Sequence, residues 1–134
     1  MRVVIDSNVA IAAAASRGLC EAIMELCLEH HHIVLCEGIL KEIETKLRTK
    51  LKVPAPIARA YIKVLRSRAE ILKPKRVPKD LCRDPNDLMI LGLVVPGNIE
   101  AIVTGDKDLL VIKKYEKARI VSPREFWESS KKED

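Results

Sequence analysis

Aromatic side chains are nearly missing from this chain: one Trp, one Phe and two Tyr, 3% of 134 residues. Any core must be built from Ile, Leu, Val and Ala, and a base-stacking platform of the RRM kind is disfavoured. The four cysteines form no C-x-x-C pair, and no His stands at zinc-finger spacing from two of them. They are expected to be free, mostly buried thiols. No apolar run approaches the roughly 20 residues of a membrane span, and Met1-Arg2 leads into a short apolar segment rather than a signal peptide. The expected location is the cytoplasm, with no membrane partner. Disorder is not indicated either, since hydrophobic residues (48%) outweigh charged ones (32%). There are no repeats, and a chain of this size buries about two-thirds of its unfolded surface. One domain is expected over residues 1–128, with a charged tail at 129–134.

The net charge of +5 is unevenly spread. Residues 1–40 carry −3, residues 41–79 carry +10 and residues 80–134 carry −2. A basic middle between acidic ends suggests a positive surface beside a negative pocket, an arrangement that suits a polyanion. Lys-rich helices that only solubilise the protein are the plainer reading of the same charges.

The order of elements gives the fold class. Val3-Val4-Ile5, Ile33-Val34-Leu35, Ala101-Ile102-Val103-Thr104 and Ala118–Val121 read as buried strands. Glu70-Ile71-Leu72 reads as a shorter one. Helices are predicted over Val9–Ala15, with Ser7 or Asn8 as cap, and around Leu19–Cys27. Others are expected from Glu37 to about Leu51, from Pro56 to Ala69, and from Asp84 to about Val95. Lys107–Lys114 and a last turn at Pro123–Glu128 complete the set. His30-His31-His32 reads as a helix C-terminus. Residues Lys73–Arg83, with Pro74, Pro78 and five basic side chains, form the clearest loop. Strands alternating with helices imply a parallel sheet covered on both faces. Ligands of such sheets sit beyond the carboxyl ends of the strands.

Asp6 and Asp106 each follow a strand directly, so the fold class alone sends both to that crevice. Asp6-Ser7-Asn8 has more polar residues than one helix cap requires. In Thr104-Gly105-Asp106-Lys107-Asp108, one Asp can cap the next helix and leave the other for a ligand. Asp84 and Asp87 stand at a helix start, where acids are favoured by the helix dipole, and Asp84 before Pro85 suits a cap. Glu42 lies beside the apolar stripe of its helix and could simply pair with Lys46 one turn on. Several carboxylates around one point are tolerable when a cation neutralises them. Oxygen ligands without paired Cys or His favour Mg²⁺ or Mn²⁺ over Zn²⁺, and such ions serve phosphodiester hydrolysis.

These residues together resemble a PIN domain, and Arg83-Asp84-Pro85-Asn86-Asp87 with Ile102–Leu110 is similar to the stand-alone prokaryotic PIN proteins grouped with VapC-type toxins. The resemblance spans essentially the whole chain. It implies a three-layer α/β/α sandwich with a parallel five-stranded sheet in the order 3-2-1-4-5. It also implies Mg²⁺- or Mn²⁺-dependent RNA cleavage, frequent homodimerisation and, in toxin members, a small antitoxin partner. Asp6, Glu42, Asp87 and Asp106 match the family's four acids as catalytic and metal-binding positions. Asn8, Thr104 and Asp108 match its supporting polar positions. Cys36 departs from the usual Ser or Thr, and Leu91-Gly92-Leu93 replaces alanines. A non-catalytic PIN module that binds RNA or a protein is the alternative, disfavoured because all four acid positions are filled. A phosphatase of the haloacid dehalogenase type would want a second Asp where Asn8 stands.

Overall fold

The computed structural model describes residues 1–132. Strand β1 (Arg2–Ile5) is followed by helices α1 (Ser7–Ala15) and α2 (Leu19–His30), and β2 (His32–Leu35) by α3 (Glu37–Thr49) and α4 (Ala55–Arg68). A two-residue strand, β3 (Glu70–Ile71), leads through a loop with one 3₁₀ turn (Lys79–Leu81) to α5 (Pro85–Gly92) and α6 (Val94–Gly97). The chain closes with β4 (Ala101–Val103), α7 (Lys107–Leu110), β5 (Lys114–Tyr115), β6 (Ala118–Val121) and α8 (Pro123–Lys132).

The strands form one sheet in the order β3-β2-β1-β4-β6-β5, flanked by helices in an α/β/α arrangement. β1 pairs in parallel with β2 and β4, β2 with β3, and β4 with β6. The expected all-parallel, five-stranded sheet needs correction at one edge. β5 is a sixth strand, antiparallel to β6, with Lys114 opposite Arg119 and Tyr115 opposite Ala118. It occupies chain assigned from sequence to the end of a helix, and α7 stops at Leu110 instead. The hairpin turn uses Glu116 at φ 52°, and Lys113 stands at φ 66°. Hairpin turns usually announce such backbone with Asn or Gly, and this one contains neither. The last helix also differs: α8 continues to Lys132 rather than ending at Glu128. Of the segment read as a tail, Glu133 and Asp134 lie outside the described residues.

Apolar packing follows the composition. Val3, Val4 and Ile5 of β1 and Ile102 and Val103 of β4 are at most 1% exposed, with Ile39, Leu40, Ile43 and Leu47 of α3 packed into the same core. Each such side chain contributes roughly 1.5–3 kcal/mol on burial. Phe126 is the one aromatic among the fully buried core residues described. Tyr61 is half-buried and donates its hydroxyl to the Ala10 carbonyl at 2.8 Å. Cys27, Cys36 and Cys82 are buried, Cys20 is half-buried, and all four are free.

Two details position the site. From β1 the chain builds outward to β2 and β3, then returns to add β4 on β1's other side. The carboxyl ends of β1 and β4 therefore flank a topological switch, where a crevice opens. The second detail is Gly92. Lys75 donates its backbone N–H to the Gly92 carbonyl at 2.8 Å. A Cβ on Gly92 would come within 2.4 Å of the Lys75 carbonyl oxygen. Glycine at 92, noted in the sequence as a departure, lets the basic loop lie directly on the end of α5.

Candidate active site at the carboxyl ends of the strands

β1 delivers Asp6 one residue past its last strand position, and the Asp6 N–H still donates to Val103 of β4 at 2.9 Å. The side chain is only 4% exposed. It is held from β4: the Thr104 hydroxyl, fully buried, donates to Asp6 Oδ2 at 2.6 Å. The same Thr104 oxygen accepts the Asp106 N–H at 3.0 Å. Thr104 thus fixes the buried carboxylate and the turn that carries Asp106.

Ser7 does not cap α1 as expected. The helix begins at Ser7, its N-cap position is Asp6, and no side chain caps it. The buried Ser7 hydroxyl instead donates to Glu42 Oε1 across the gap to α3, with Asp6 Oδ1 at 3.4 Å as a longer partner. This contact brings a mid-helix Glu to the strand ends. Lys46 Nζ lies 3.2 Å from the same Glu42 oxygen, so the pairing one turn on occurs without drawing Glu42 away. Asn8 is exposed, and its side-chain oxygen accepts from Lys46 at 3.4 Å.

On the other side of Thr104, Asp84 caps α5 by accepting the Asn86 N–H at 2.9 Å. That leaves Asp87, in the first turn, free to face inward at 4% exposure. Asp106 caps α7 through Oδ1, which accepts the Asp108 N–H at 2.9 Å. From sequence, the capping Asp and the ligand Asp were to be different residues. In the fold, Asp106 caps α7 with one oxygen and still interacts with Asp87.

The acids gather at the strand ends in two groups joined by Thr104, and Asp6 feels the charge of both Glu42 and Asp106. One is Asp6 with Glu42, bridged by Ser7. The other is Asp87, Asp106 and Asp108, whose carboxylate oxygens lie within 4.8 Å of one another, the one such trio among the described residues. Asp108 is its exposed member. Charge of one sign and burial act together here. Burial, followed by Asp106, Asp84 and Asp6, pushes the Asp87 carboxyl up to about 7. Asp6 is raised by burial and by Glu42 and Asp106, against the hydrogen bond from Thr104. Asp87 Oδ2 is buried without any hydrogen-bond partner. A buried carboxylate oxygen lacking a donor, amid other acids, is a costly arrangement in a protein interior. An all-oxygen donor set of this kind fits a hard divalent cation.

Cys82 was expected only as a free, buried thiol, and its place beside the acids was not foreseen. It is buried, and its thiol is pushed up to about 11 by burial and then by Asp87, Asp106, Asp108 and Asp84. It therefore stays protonated and forms part of the uncharged wall beside the acids. No spacing rule points to it. Ser7 carried a fainter signal, as the surplus polar residue after β1.

A family model for the PIN domain matches residues 2–108, a span that includes every acid of both groups. Among solved structures, the fold is similar to a chain of the VapBC2 structure from Rickettsia felis, which was determined bound to a DNA fragment from their promoter. That similarity has a TM-score of 0.62 at 16% identity, covering 91% of this chain and 98% of the other. No curated protein matches. Strand-end acids, Thr104 between them and a family match across them agree, and the chain belongs to the PIN domain family.

Proposed function

We propose that this protein is a divalent-metal-dependent ribonuclease that hydrolyses RNA phosphodiester bonds. The observation that carries the reading is Asp87 Oδ2: buried, without a donor, and crowded by acids that raise its carboxyl. A cation relieves that crowding, and the donor set favours Mg²⁺ or Mn²⁺. Asp6, Glu42, Asp87 and Asp106 would hold it, with Asp108 at the exposed rim. When bound, such an ion polarises a phosphodiester and lowers the pKa of water.

The chain's own residues supply position. Thr104 keeps the Asp6 oxygens from turning away, and Ser7 does the same for Glu42. Both donors are buried, so their geometry is set by the sheet and not by solvent. Lys46 gives Glu42 a tethered counter-charge. We assign Asn8 to the support of Lys46 rather than to direct contact with the reaction.

The role of toxin in a toxin–antitoxin pair belongs to the same proposal, together with a small antitoxin partner, a homodimer and a cytoplasmic location. It draws support from the family and from the VapBC2 fold. Among the described residues, no helix is long and apolar enough to cross a membrane.

The decisive experiment compares wild type with Asp6→Asn on mixed RNA while Mg²⁺ or Mn²⁺ is titrated. Wild type is expected to cleave in proportion to metal occupancy, and Asp6→Asn to fall to the metal-free background with its circular dichroism unchanged. Undiminished cleavage by Asp6→Asn would sink the reading. Wild-type protein that binds RNA yet never cleaves it with either metal would make this a non-catalytic PIN module.

A further inference from the structure

Several cations on the helices and strands have partners. Arg2 pairs with Glu70, Lys46 with Glu42, Arg48 with Glu44 and Arg66 with Glu37. The loop between β3 and α5 stands out by concentration and by its place beside the acids. Lys73, Lys75, Arg76, Lys79 and Arg83 are all exposed, and none makes a side-chain hydrogen bond or ion pair among the described residues. Asp80 is the one acid among them. Five unpartnered cations within eleven residues repel one another.

The loop is nevertheless built in at both ends. At one end the Lys75 N–H is bonded to the Gly92 carbonyl at the end of α5, an approach that only glycine allows. At the other, Cys82 is buried beside Asp87 and Asp106, and Asp84 caps α5. The basic loop therefore starts at the C-terminal end of α5 and returns to its N-terminal end, where it meets the acid cluster. Arg83 directly precedes the Asp84 cap.

Resting on the ribonuclease reading above, we propose that this loop is the substrate track: Lys75, Arg76 and Lys79 hold the phosphate backbone of single-stranded RNA where it enters the acidic site. The acids alone would repel a polyanion, and the adjoining cations offset that repulsion on approach. The contacts are to phosphate and not to bases, because the loop offers no aromatic side chain on which a base could stack. Binding at this track is therefore indifferent to sequence, and any sequence preference arises elsewhere on the surface.

The test measures binding without cleavage, by fluorescence anisotropy of a short labelled single-stranded RNA in EDTA, across about 50–200 mM salt. Three proteins are compared: wild type, Lys75→Gln/Arg76→Gln/Lys79→Gln, and Lys113→Gln/Lys114→Gln/Lys117→Gln. The last loses the same charge at the far edge of the sheet, around β5. Each lost phosphate contact lowers the slope of log affinity on log salt by about 0.7 for a single strand, so the loop variant should lose about 2. Its affinity near 100 mM salt should fall by about tenfold or more. The far-edge variant should track wild type. Arg76→Gln alone, expected to lose about one contact, keeps the test readable if the triple variant melts early.

Equal losses in both triple variants would reduce the effect to net charge and overturn the proposal. So would an unchanged slope in the loop variant, wild-type protein that does not bind, or a glutamate-rich peptide that binds the loop as tightly as the RNA. Loop-dependent binding with no cleavage in Mg²⁺ or Mn²⁺ would overturn only the nuclease reading.

Discussion

The two ends of the parallel sheet handle charge in opposite ways. At the amino ends of the strands, charges are matched. Glu70 at the start of β3 accepts from Arg2 of β1 at 3.0 Å and lies 2.7 Å from His32 of β2. Arg2 also donates from Nε to the Gly97 carbonyl at 2.6 Å, and its N–H meets Glu100 at 2.8 Å. These pairs draw Glu70 below the usual carboxylate range, through the hydrogen bond from Arg2 and then that from His32. At the carboxyl ends acids predominate, and among the described residues only Glu42 of the site's acids has a cation, Lys46, against it. Asp6 and Asp87 are pushed up, chiefly by burial. One end of the molecule is satisfied by its own residues, and the other leaves a buried Asp87 carboxylate oxygen without a donor. Local rules broken at one place and obeyed elsewhere are a mark of function.

Three experiments sharpen that contrast. The largest effect is expected from pH and Asp87. Burial and the neighbouring acids hold its carboxyl up at about 7 in the fold, against the ordinary value of 3.8. The folded state therefore binds the extra proton between those values, and stability falls as pH rises through that window. Thermal unfolding in EDTA should show wild type losing stability from about pH 4 to pH 7. Asp87→Asn should show a flatter profile and melt higher at pH 8. Added Mg²⁺ should raise the melting point of wild type more than that of Asp87→Asn. A wild-type profile as flat as that of the variant would remove the claim that the carboxyl end is frustrated.

Next comes Thr104→Val, nearly isosteric but without the hydroxyl. Asp6 Oδ2 loses its donor and the Asp106 N–H its acceptor, both in buried or half-buried surroundings. Urea denaturation should register a loss of about 1–3 kcal/mol. RNA cleavage should fall with it, because both acid groups lose their shared anchor. Full activity in a folded Thr104→Val would mean that the two groups do not need that link.

The smallest effect is expected at the matched end. The Arg2–Glu70 pair is partly exposed, so Glu70→Gln should cost less than about 1 kcal/mol near neutral pH. The sign follows from the lowered carboxyl. Its contribution is present above the unfolded value of 4.5 and disappears as pH falls through the lower folded value. Wild type and Glu70→Gln should therefore converge in acid, whereas wild type and Asp87→Asn should diverge with rising pH.

Some of this was legible in the linear order of residues. Asp6 and Asp106 follow uninterrupted apolar strands, and a parallel sheet sends such residues to one crevice. Asp84 before Pro85 reads as a cap and is one. Glu42 was not legible in this way. A Glu beside the stripe of an amphipathic helix looks the same whether it faces solvent or a buried hydroxyl 35 residues away. Only its family position singled it out. Asp87 was similarly hidden among acids that suit any helix start. β5 was missed because Lys113 and Glu116 adopt left-handed backbone without the residue types that signal it.

By itself, then, the sequence determined the α/β class, the aliphatic core and the strand ends at which Asp6 and Asp106 emerge. Those features follow from periodicity and chain direction, which are local. The tertiary structure alone decided that Ser7 reaches Glu42, that Thr104 joins two acid groups, and that Asp87 Oδ2 is left without a donor. It also decided that Gly92 seats a basic loop beside the acids. Each of these depends on contacts between residues far apart in the chain, and no local pattern encodes which distant group a buried oxygen will meet.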